Sequence, residues 1–220
     1  MIKLSPRLEA ILQMVPQGTA ADIGADHGKL MIALFERGII THGYAVENKV
    51  GPYNRLVKAL TTHNLIDDIV PLLSDGIKDL PSSIHTVIIA GMGGDNIIDI
   101  LKKYPKKTKQ IQTLIVDAHT AIPKLREEIS KMGFAIAEEK IVQDSGVFYE
   151  IIKFIRADFA FYGEADLEFG PILRNEKSAA FKEKYESRIK EIDALLAKSH
   201  LPEERINQLN AEKRRIQGVL

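Results

Sequence analysis

A glycine-spaced turn that carries acids follows the first short apolar run of this chain. Asp22 ends the run, and Gly24 and Gly28 lie on either side of Asp26 and His27. Glycine lets the backbone approach a ligand closely, and the free N–H groups of a following helix point at that ligand. The middle glycine of a Gly-x-Gly-x-x-Gly loop is absent, so the turn favours a cofactor with a cationic group over a pyrophosphate. An incidental acid in an ordinary strand–turn–helix is the alternative.

Two further acids follow β-branched runs downstream. Glu47, which precedes Asn48, lies about 20 residues beyond the turn, where an acid can accept hydrogen bonds from both hydroxyls of a ribose. Asp75 and Gly76 follow the third run, where a carboxylate can accept from an adenine amine and a glycine leaves room for the ring. The alternatives are an exposed strand end for Glu47 and a common Ser-Asp-Gly turn. Because parallel strands place their carboxyl ends at one edge of a sheet, three such acids indicate a ligand site there.

A glycine cluster, Gly91-Met92-Gly93-Gly94, ends the fourth run. It leaves the backbone bare enough for a flat base to approach, although a flexible turn would read the same way. With the three acids it predicts an S-adenosylmethionine pocket, since that cofactor joins an ammonium group, a ribose and an adenine. The predicted cofactor contacts are Asp22, Gly24, Asp26, His27, Gly28, Glu47, Asn48, Asp75, Gly76, Gly91, Met92 and Gly93.

The fifth run ends in Asp117-Ala118-His119. Asp117 or His119 could receive a proton from a substrate amine, and we name them as the candidate catalytic residues. Asp117 could instead cap the following helix, whose first turn contains Pro123. Both interpretations stay open from the sequence.

The elements that must position these residues alternate between strands and helices, which predicts an α/β fold with a mostly parallel sheet. After residue 133 the pattern changes to two strand-like runs around the turn Gln143-Asp144-Ser145-Gly146. An antiparallel hairpin at the end of the sheet favours a Rossmann-like methyltransferase sheet of seven strands over a dinucleotide dehydrogenase. The predicted strands are Thr19–Ile23, Gly43–Glu47, Ile69–Leu73, Thr86–Ala90, Thr113–Val116, Phe134–Val142 and Phe148–Ile155. The predicted helices before the hairpin are 4–14, 28–37, 51–63, 94–103 and 121–132.

The C-terminal part becomes helical, with one apolar stripe on each of two helices, 172–198 and 203–217. Ser199 and Pro202 can cap the break between them. Two amphipathic helices joined by a short loop predict an antiparallel helical hairpin. We therefore expect a cofactor-binding domain over residues 1–157, and a linker with a coiled-coil-like hairpin over 158–220.

The amino-acid composition further narrows the possible classes of protein. The 220 residues carry 30 basic and 30 acidic side chains, so no net charge attracts the whole molecule to nucleic acid. The absence of cysteine excludes disulfides and thiolate metal sites, and we expect a cytoplasmic monomer. No apolar run is long enough to cross a membrane, and the remaining histidines show no metal-ligand spacing, so neither a membrane nor a metal is expected.

Two basic runs could hold phosphates, although solvated helix ends are the more common role of such runs. They are Lys102, Lys103, Lys106, Lys107 and Lys109, and Lys213-Arg214-Arg215.

Several short motifs together resemble the bacterial tRNA (adenine-22-N1)-methyltransferases. They are Leu4-Ser5-Pro6-Arg7-Leu8, Asp22-Ile23-Gly24-Ala25-Asp26-His27, Gly51-Pro52, Asp75-Gly76, Gly91-Met92-Gly93-Gly94 and Tyr149-Glu150-Ile151. The likeness spans residues 2 to about 155, and the helices after Phe169-Gly170-Pro171 match the coiled-coil appendage of that family. The resemblance implies an S-adenosylmethionine-dependent enzyme that methylates N1 of adenine 22, with tRNA as its partner.

The chain departs from the family pattern at two places. Gly28-Lys29-Leu30-Met31 replaces an Ala-Tyr-Leu-Pro stretch, and Asp117-Ala118-His119 replaces a Gln-Pro-Asn motif. The second departure falls where the family would hold the edge of the base. A small-molecule methyltransferase and a non-catalytic S-adenosylmethionine-binding module are therefore the alternatives.

Overall fold

A seven-stranded sheet forms the centre of the molecule, in the order β3-β2-β1-β4-β5-β7-β6. The computed structural model describes residues 2–198 and 200–220. β1 to β5 are parallel, and β7 runs antiparallel to both of its neighbours, β5 and β6. The predicted mostly parallel sheet with a terminal antiparallel hairpin is confirmed. The strands are β1 (Gly18–Ile23), β2 (Ile40–Glu47), β3 (Ile69–Leu73), β4 (Thr86–Met92), β5 (Thr113–Ala118), β6 (Phe134–Asp144) and β7 (Val147–Arg156).

Helices cover both faces of the sheet because its central strands are apolar on both sides. Along β4, Ile88 joins a core with the first three helices, while Val87 and Ile89 join a core on the other face. The helices on the first face are α1 (Pro6–Met14), α2 (Lys29–Glu36) and α3 (Val50–Thr62). The second face carries α4 (Gly94–Lys103) and α6 (Ile122–Lys131), and the short α5 (Pro105–Thr108) follows α4.

The described residues of the C-terminal part form four helices where two were predicted. They are α7 (Glu164–Phe169), α8 (Pro171–Glu176), α9 (Ala179–Leu196) and α10 (Glu203–Gln217). The prediction of one helix over 172–198 was wrong, because Lys177 takes a left-handed φ of 46° and Ser178 starts a new helix. The Ser178 side chain accepts a hydrogen bond from the Phe181 N–H. Ser199, predicted to cap the break before α10, lies outside the described residues, and Pro202 is the N-cap residue of α10.

α9 and α10 pair through apolar stripes that contain Ile192, Leu209 and Ile216. Ion pairs join Arg188 to Glu212 and Lys213 to Asp193 along the same interface. The same apolar core includes side chains of β6 and β7, so the C-terminal helices pack on the terminal hairpin of the sheet. None of the helices formed by residues 2–198 and 200–220 is long and apolar enough to cross a membrane.

A buried ion cluster of Arg126, Glu139 and Glu150 lies between α6, β6 and β7. Arg126 is fully buried; its Nε lies 2.8 Å from Glu139 Oε1 and its Nη2 lies 2.5 Å from Glu150 Oε2. Burial opposes ionisation, and it raises the pKa of Glu139 despite the Arg126 charge. For Glu150, Arg126 and Lys184 outweigh burial and hold the pKa below its usual range.

The buried ion cluster also reaches the C-terminal helices. Arg126 Nη1 donates to the Leu167 carbonyl of α7 over 3.0 Å, and Glu139 Oε2 accepts from the Ile172 N–H of α8 over 2.9 Å. Lys184 of α9 donates to Glu150. Three C-terminal helices are therefore tied to one buried group of charges in the sheet domain.

Candidate functional site

The carboxyl ends of β1 and β2 bring two predicted acids together. β1 pairs with β2 up to Ile23 and Val46, and Asp22 and Glu47 are both buried near these ends. Glu47 Oε1 accepts a hydrogen bond of 2.5 Å from the Asp26 N–H. The second strand-end acid therefore holds the backbone of the turn that follows the first.

Two cavities open beside this turn, and Gly24 lines both. The larger cavity has a volume of about 410 Å³, and the smaller cavity has a volume of about 230 Å³. Predicted residues in the larger cavity are Gly24, Glu47, Asn48, Asp75, Gly76 and Met92. The smaller cavity is lined in part by Arg7, Asp22, Gly24, Asp26, His27 and Lys29. A ligand that passes Gly24 could occupy both cavities at once.

Asp22 is the buried charge of the smaller cavity. Desolvation raises the pKa of Asp22 to about 7, and the Glu47 carboxylate adds to this rise while Arg7 opposes it. None of the described residues donates a hydrogen bond to its carboxylate. A cationic ligand group in this cavity would therefore favour the ionised form.

Asp26 and His27 lie at the rim of the smaller cavity, where both are exposed. Asp26 Oδ1 accepts from Arg55 Nη2 over 3.2 Å, and His27 Nε2 lies 3.7 Å from Asp26 Oδ2. Asp26 is thus positioned by its backbone contact to Glu47 and by a cation of α3.

Asp75 lines the larger cavity, but its side chain already has partners. Oδ2 accepts from Lys103 Nζ over 2.5 Å and from the Tyr104 hydroxyl over 2.8 Å, and these bonds lower the pKa of Asp75. A carboxylate has two oxygens and several lone pairs, so it can accept from an adenine amine as well.

The predicted glycines divide into cavity walls and packing positions. Gly24 has φ of 80°, and a Cβ there would lie 2.5 Å from Met92 Cε; at Gly76, φ is 59° and a Cβ would lie 2.8 Å from Ile100 Cγ2. Gly28 lines neither cavity, because it packs against Leu56 of α3. Its predicted closeness to the cofactor has no support in the geometry.

The glycines of the cluster at the end of β4 also differ in their surroundings. Gly91 has φ of 77°, and the atoms nearest to a Cβ there are Arg7 Nη1 at 3.5 Å and His119 Nε2 at 3.8 Å. Gly93 and Gly94 instead face Thr120, with the Thr120 carbonyl 2.5 Å from a Cβ built at Gly94. Only the first glycine therefore leaves backbone bare beside the candidate catalytic residues.

Asp117 does not cap the following helix, since the N-cap residue of α6 is Ala121 and no side chain caps this end. Asp117 is fully buried, and its Oδ2 accepts from Arg7 Nη1 over 3.0 Å. Its Oδ1 has no hydrogen-bond partner among the described residues. Desolvation raises the pKa of Asp117, and the charges of Arg7 and His119 oppose that rise.

His119 is exposed beside Asp117 and contacts Tyr149 edge to face, with ring centroids 5.6 Å apart. The Arg7 guanidinium lies over the same ring, 5.1 Å from the Tyr149 ring centroid. Both candidate catalytic residues are therefore brought together, with one arginine and one tyrosine around them.

Sequence reasoning missed Arg7 and one face of α4. Arg7 stood within a family motif but no role was predicted for it. The α4 residues that line the larger cavity are Asn96, Asp99, Ile100 and Lys103. Their spacing of three and four is a helical stripe that directly follows the glycine cluster, and this signal was available.

The basic run that begins in the last turn of α4 forms several contacts within the protein. Lys102 pairs with Glu128, Lys103 with Asp75, and Lys107 donates to the Leu80 carbonyl. Within the described ranges, no group of three or more potential ligands could hold a metal ion.

Parallel strands whose carboxyl ends carry acids beside two neighbouring cavities, followed by an antiparallel terminal hairpin, define a Rossmann-like methyltransferase. A family model described as a methyltransferase domain matches residues 4–152, and the chain belongs to that family.

Within that class, the chain is similar to the tRNA (adenine(22)-N(1))-methyltransferase of Bacillus subtilis. The two are 29% identical over 191 residues, which cover 84% of this chain and 80% of the relative. Crystal structures of Streptococcus pneumoniae Sp1610, described as a putative tRNA (m1A22) methyltransferase, share 31% identity and cover 99% of this chain and 100% of that chain. The TM-score is 0.93 for one Sp1610 structure and 0.91 for its complex with S-adenosyl-L-methionine.

Proposed function

We propose that this protein transfers a methyl group from S-adenosylmethionine to N1 of adenine 22 in tRNA. The observation that carries the proposal is the likeness to Sp1610, which binds S-adenosylmethionine and superposes over 99% of this chain. The Bacillus subtilis relative carries the name of this reaction. The alignments with 29% and 31% identity cover more of the chain than the predicted cofactor domain, 1–157. This coverage supports a shared substrate as well as a shared cofactor.

The residues present fit this cofactor. Asp22 offers a buried carboxylate for the ammonium group, and Glu47 offers acceptor oxygens for the ribose in the neighbouring cavity. Gly24 and Gly76 keep the walls open where a Cβ would collide with Met92 and Ile100. When bound, S-adenosylmethionine supplies a methyl group on a positively charged sulfur. The residue roles stay proposals that the predictions below test.

The chain's own residues serve the reaction mainly by position. Adenine N1 already carries a lone pair, so no strong base is needed, and alignment of the reacting atoms provides the rate. Methylation makes the exocyclic amine of the adenine more acidic and leaves positive charge on the ring. Asp117 or His119 would accept from that amine, and Gly91 leaves room for the base beside them.

tRNA is the partner that the proposed reaction requires. N1 lies on the pairing edge of adenine, so the base must leave its stack to reach the site. The C-terminal helices, residues 158–220, would contact the body of the tRNA. We propose a monomer that acts in the cytoplasm.

Incubation with labelled S-adenosylmethionine and unmodified bacterial tRNA tests the proposal, followed by mapping of the modified nucleoside. We expect 1-methyladenosine at position 22, and no label in a tRNA in which adenine 22 is replaced by guanine. Label in a small metabolite but in no tRNA would contradict the proposal. Cofactor binding without any transfer would support a non-catalytic module instead.

The affinity for S-adenosylmethionine should fall as the pH drops below 7. Asp22, with a pKa of about 7, is increasingly protonated there, and only its carboxylate attracts the ammonium group. Each pH unit below the pKa should weaken binding by about tenfold, and the affinity should level off above pH 7. Calorimetric titrations between about pH 5.5 and pH 7.5 measure this, since the ammonium group itself stays charged over most of that range.

The matched control is 5′-methylthioadenosine, which lacks the amino-acid end and should bind with little pH dependence. The Asp22→Asn variant should bind S-adenosylmethionine weakly at every pH. If the affinities of both ligands depended equally on pH, this result would contradict the role of Asp22. In the unliganded protein, protonated Asp22 stabilises the folded state, and this contribution should be lost as the pH rises from about 4 to about 7, because the folded state retains a proton that the unfolded state releases.

A further inference from the structure

Arg7 stands where the two halves of the candidate site meet. It lies in the first turn of α1, whose N-cap Ser5 accepts from the Leu8 N–H. From there its guanidinium reaches across to Asp117 of β5 and lies over Tyr149 of β7. The Arg7 side chain is 24% exposed, and Asp117, its partner, is fully buried. The arginine is thus held from two sides by elements of the sheet.

The guanidinium retains unused hydrogen-bond donors. Arginine carries five N–H donors in a planar fork. Among the described residues, one acceptor is bonded to that fork, Asp117 Oδ2 at 3.0 Å from Nη1. Nε and Nη2 therefore remain available to a ligand.

The unused donors belong to the smaller cavity. Arg7 and Asp22 both line that cavity, and the Arg7 charge lowers the pKa of Asp22 across it. A positive and a negative group thus share one cavity of about 230 Å³, and Gly24 lines both this cavity and the larger one. An α-amino acid is a zwitterion with the complementary arrangement of charges.

We propose that Arg7 binds the α-carboxylate of the cofactor's amino-acid end, and that Asp117 is the positioning residue that holds Arg7 there. This assignment rests on the proposed function, because it takes S-adenosylmethionine as the ligand. In this arrangement Asp22 faces the ammonium group and Arg7 faces the carboxylate, so the smaller cavity binds both charged groups of the amino-acid end. Arg–carboxylate pairs form two parallel hydrogen bonds, which fixes orientation as well as affinity.

The other cation of the smaller cavity fits this role less well. Lys29 is exposed and lies at the first position of α2, where no described partner anchors its side chain. A flexible exposed lysine contributes little binding energy because its charge is solvated and its side chain must be ordered. Lys58, an exposed lysine of α3 that lines neither cavity, serves as the matched single-charge control.

The test compares three ligands by calorimetry on the full chain: S-adenosylmethionine, its decarboxylated form and 5′-methylthioadenosine. Arg7→Gln should weaken S-adenosylmethionine binding by about 10- to 100-fold, the loss of a charge-assisted pair. Binding of the two ligands without a carboxylate should change by less than about threefold. Arg7→Lys should give an intermediate loss for S-adenosylmethionine alone, and Lys58→Gln should leave all three affinities near those of the unchanged protein.

Arg7→Gln leaves the Asp117 carboxylate buried without its partner, so it is paired with the double variant Arg7→Gln/Asp117→Asn, which removes both charges. The double variant should fold and show the same selective loss. If either folded variant binds S-adenosylmethionine as tightly as the unchanged protein, or loses all three ligands equally, the assignment is wrong. An unaltered cofactor affinity with a raised KM for tRNA would place Arg7 on an RNA phosphate and overturn it as well.

These outcomes separate the assignment from the proposed function. If the unchanged protein fails to bind S-adenosylmethionine, the proposed function fails before any variant is compared. If it binds the cofactor and methylates tRNA while Arg7→Gln retains full affinity, only the assignment of Arg7 fails.

Discussion

Replacing Arg126 with Met is expected to lower the free energy of unfolding by about 3 to 5 kcal/mol. The substitution leaves two carboxylates buried without their shared cation, since Glu139 and Glu150 both bond to Arg126 in the interior. It also removes the donor to the Leu167 carbonyl of α7. Typical domains are stable by about 5 to 15 kcal/mol, so this one change removes a large part of the margin.

Urea unfolding measures the loss, and hydrogen exchange should show reduced protection of the amides of α7. The matched control is Arg188→Met, which breaks a partly exposed pair with Glu212 and should cost about 1 kcal/mol or less. Adding Glu139→Gln and Glu150→Gln to Arg126→Met should recover part of the stability, because no buried charge is then unpaired. Equal losses at Arg126 and Arg188 would contradict the importance assigned to the buried ion cluster.

Glu47→Gln is expected to weaken S-adenosylmethionine binding by about 10- to 100-fold, and Glu47→Ala should weaken this binding further. A carboxylate can accept from both ribose hydroxyls, whereas an amide offers one acceptor oxygen and a donor group. The Gln side chain can still accept from the Asp26 N–H, which Glu47 binds over 2.5 Å. The turn should therefore keep its shape in Glu47→Gln, and the loss should reflect the ligand contact.

Calorimetry with 5′-methylthioadenosine and its 2′,3′-dideoxy analogue measures this contact directly. The unchanged protein should prefer the ligand with both hydroxyls, and Glu47→Gln should abolish most of that preference. Asp68→Asn, an acid outside both cavities, is the matched control and should preserve it. A preference that survives in Glu47→Gln would place the ribose elsewhere.

The sheet was predictable because its signals are local. Each parallel strand is a short β-branched run with an acid or a glycine in or just beyond its last residues, and β1, β2 and β3 end where the sequence suggested, at Ile23, Glu47 and Leu73. The hairpin was equally clear, since Ser145 and Gly146 both take left-handed φ values in its turn. Because the carboxyl ends of parallel strands meet at one edge of the sheet, the strand prediction alone brings most of the predicted cofactor residues to that edge.

The remaining features depend on contacts between distant parts of the chain. Arg7 could not be assigned because its partner lies 110 residues away, and nothing in its own helix indicates that pairing. The break after Glu176 escaped detection because Lys177 adopts a left-handed conformation that lysine rarely favours. Glu150 was noted within a family motif, but its burial with Arg126 and Lys184 arises only when three separate elements pack together.

The bond between Arg7 and Asp117 has a consequence for the order of events during synthesis. The first helix leaves the ribosome early, yet the groups that hold its arginine, Asp117 and Tyr149, are translated long afterwards. β7 then inserts between β5 and β6, so even the neighbour of β5 is completed after β6 has been made. A nascent chain that ends before residue 149 therefore lacks Tyr149, one of the two groups that hold Arg7 beside the smaller cavity. Under the proposed assignment of Arg7, the amino-acid end of the cofactor would gain its full set of contacts only once nearly the whole sheet domain has emerged.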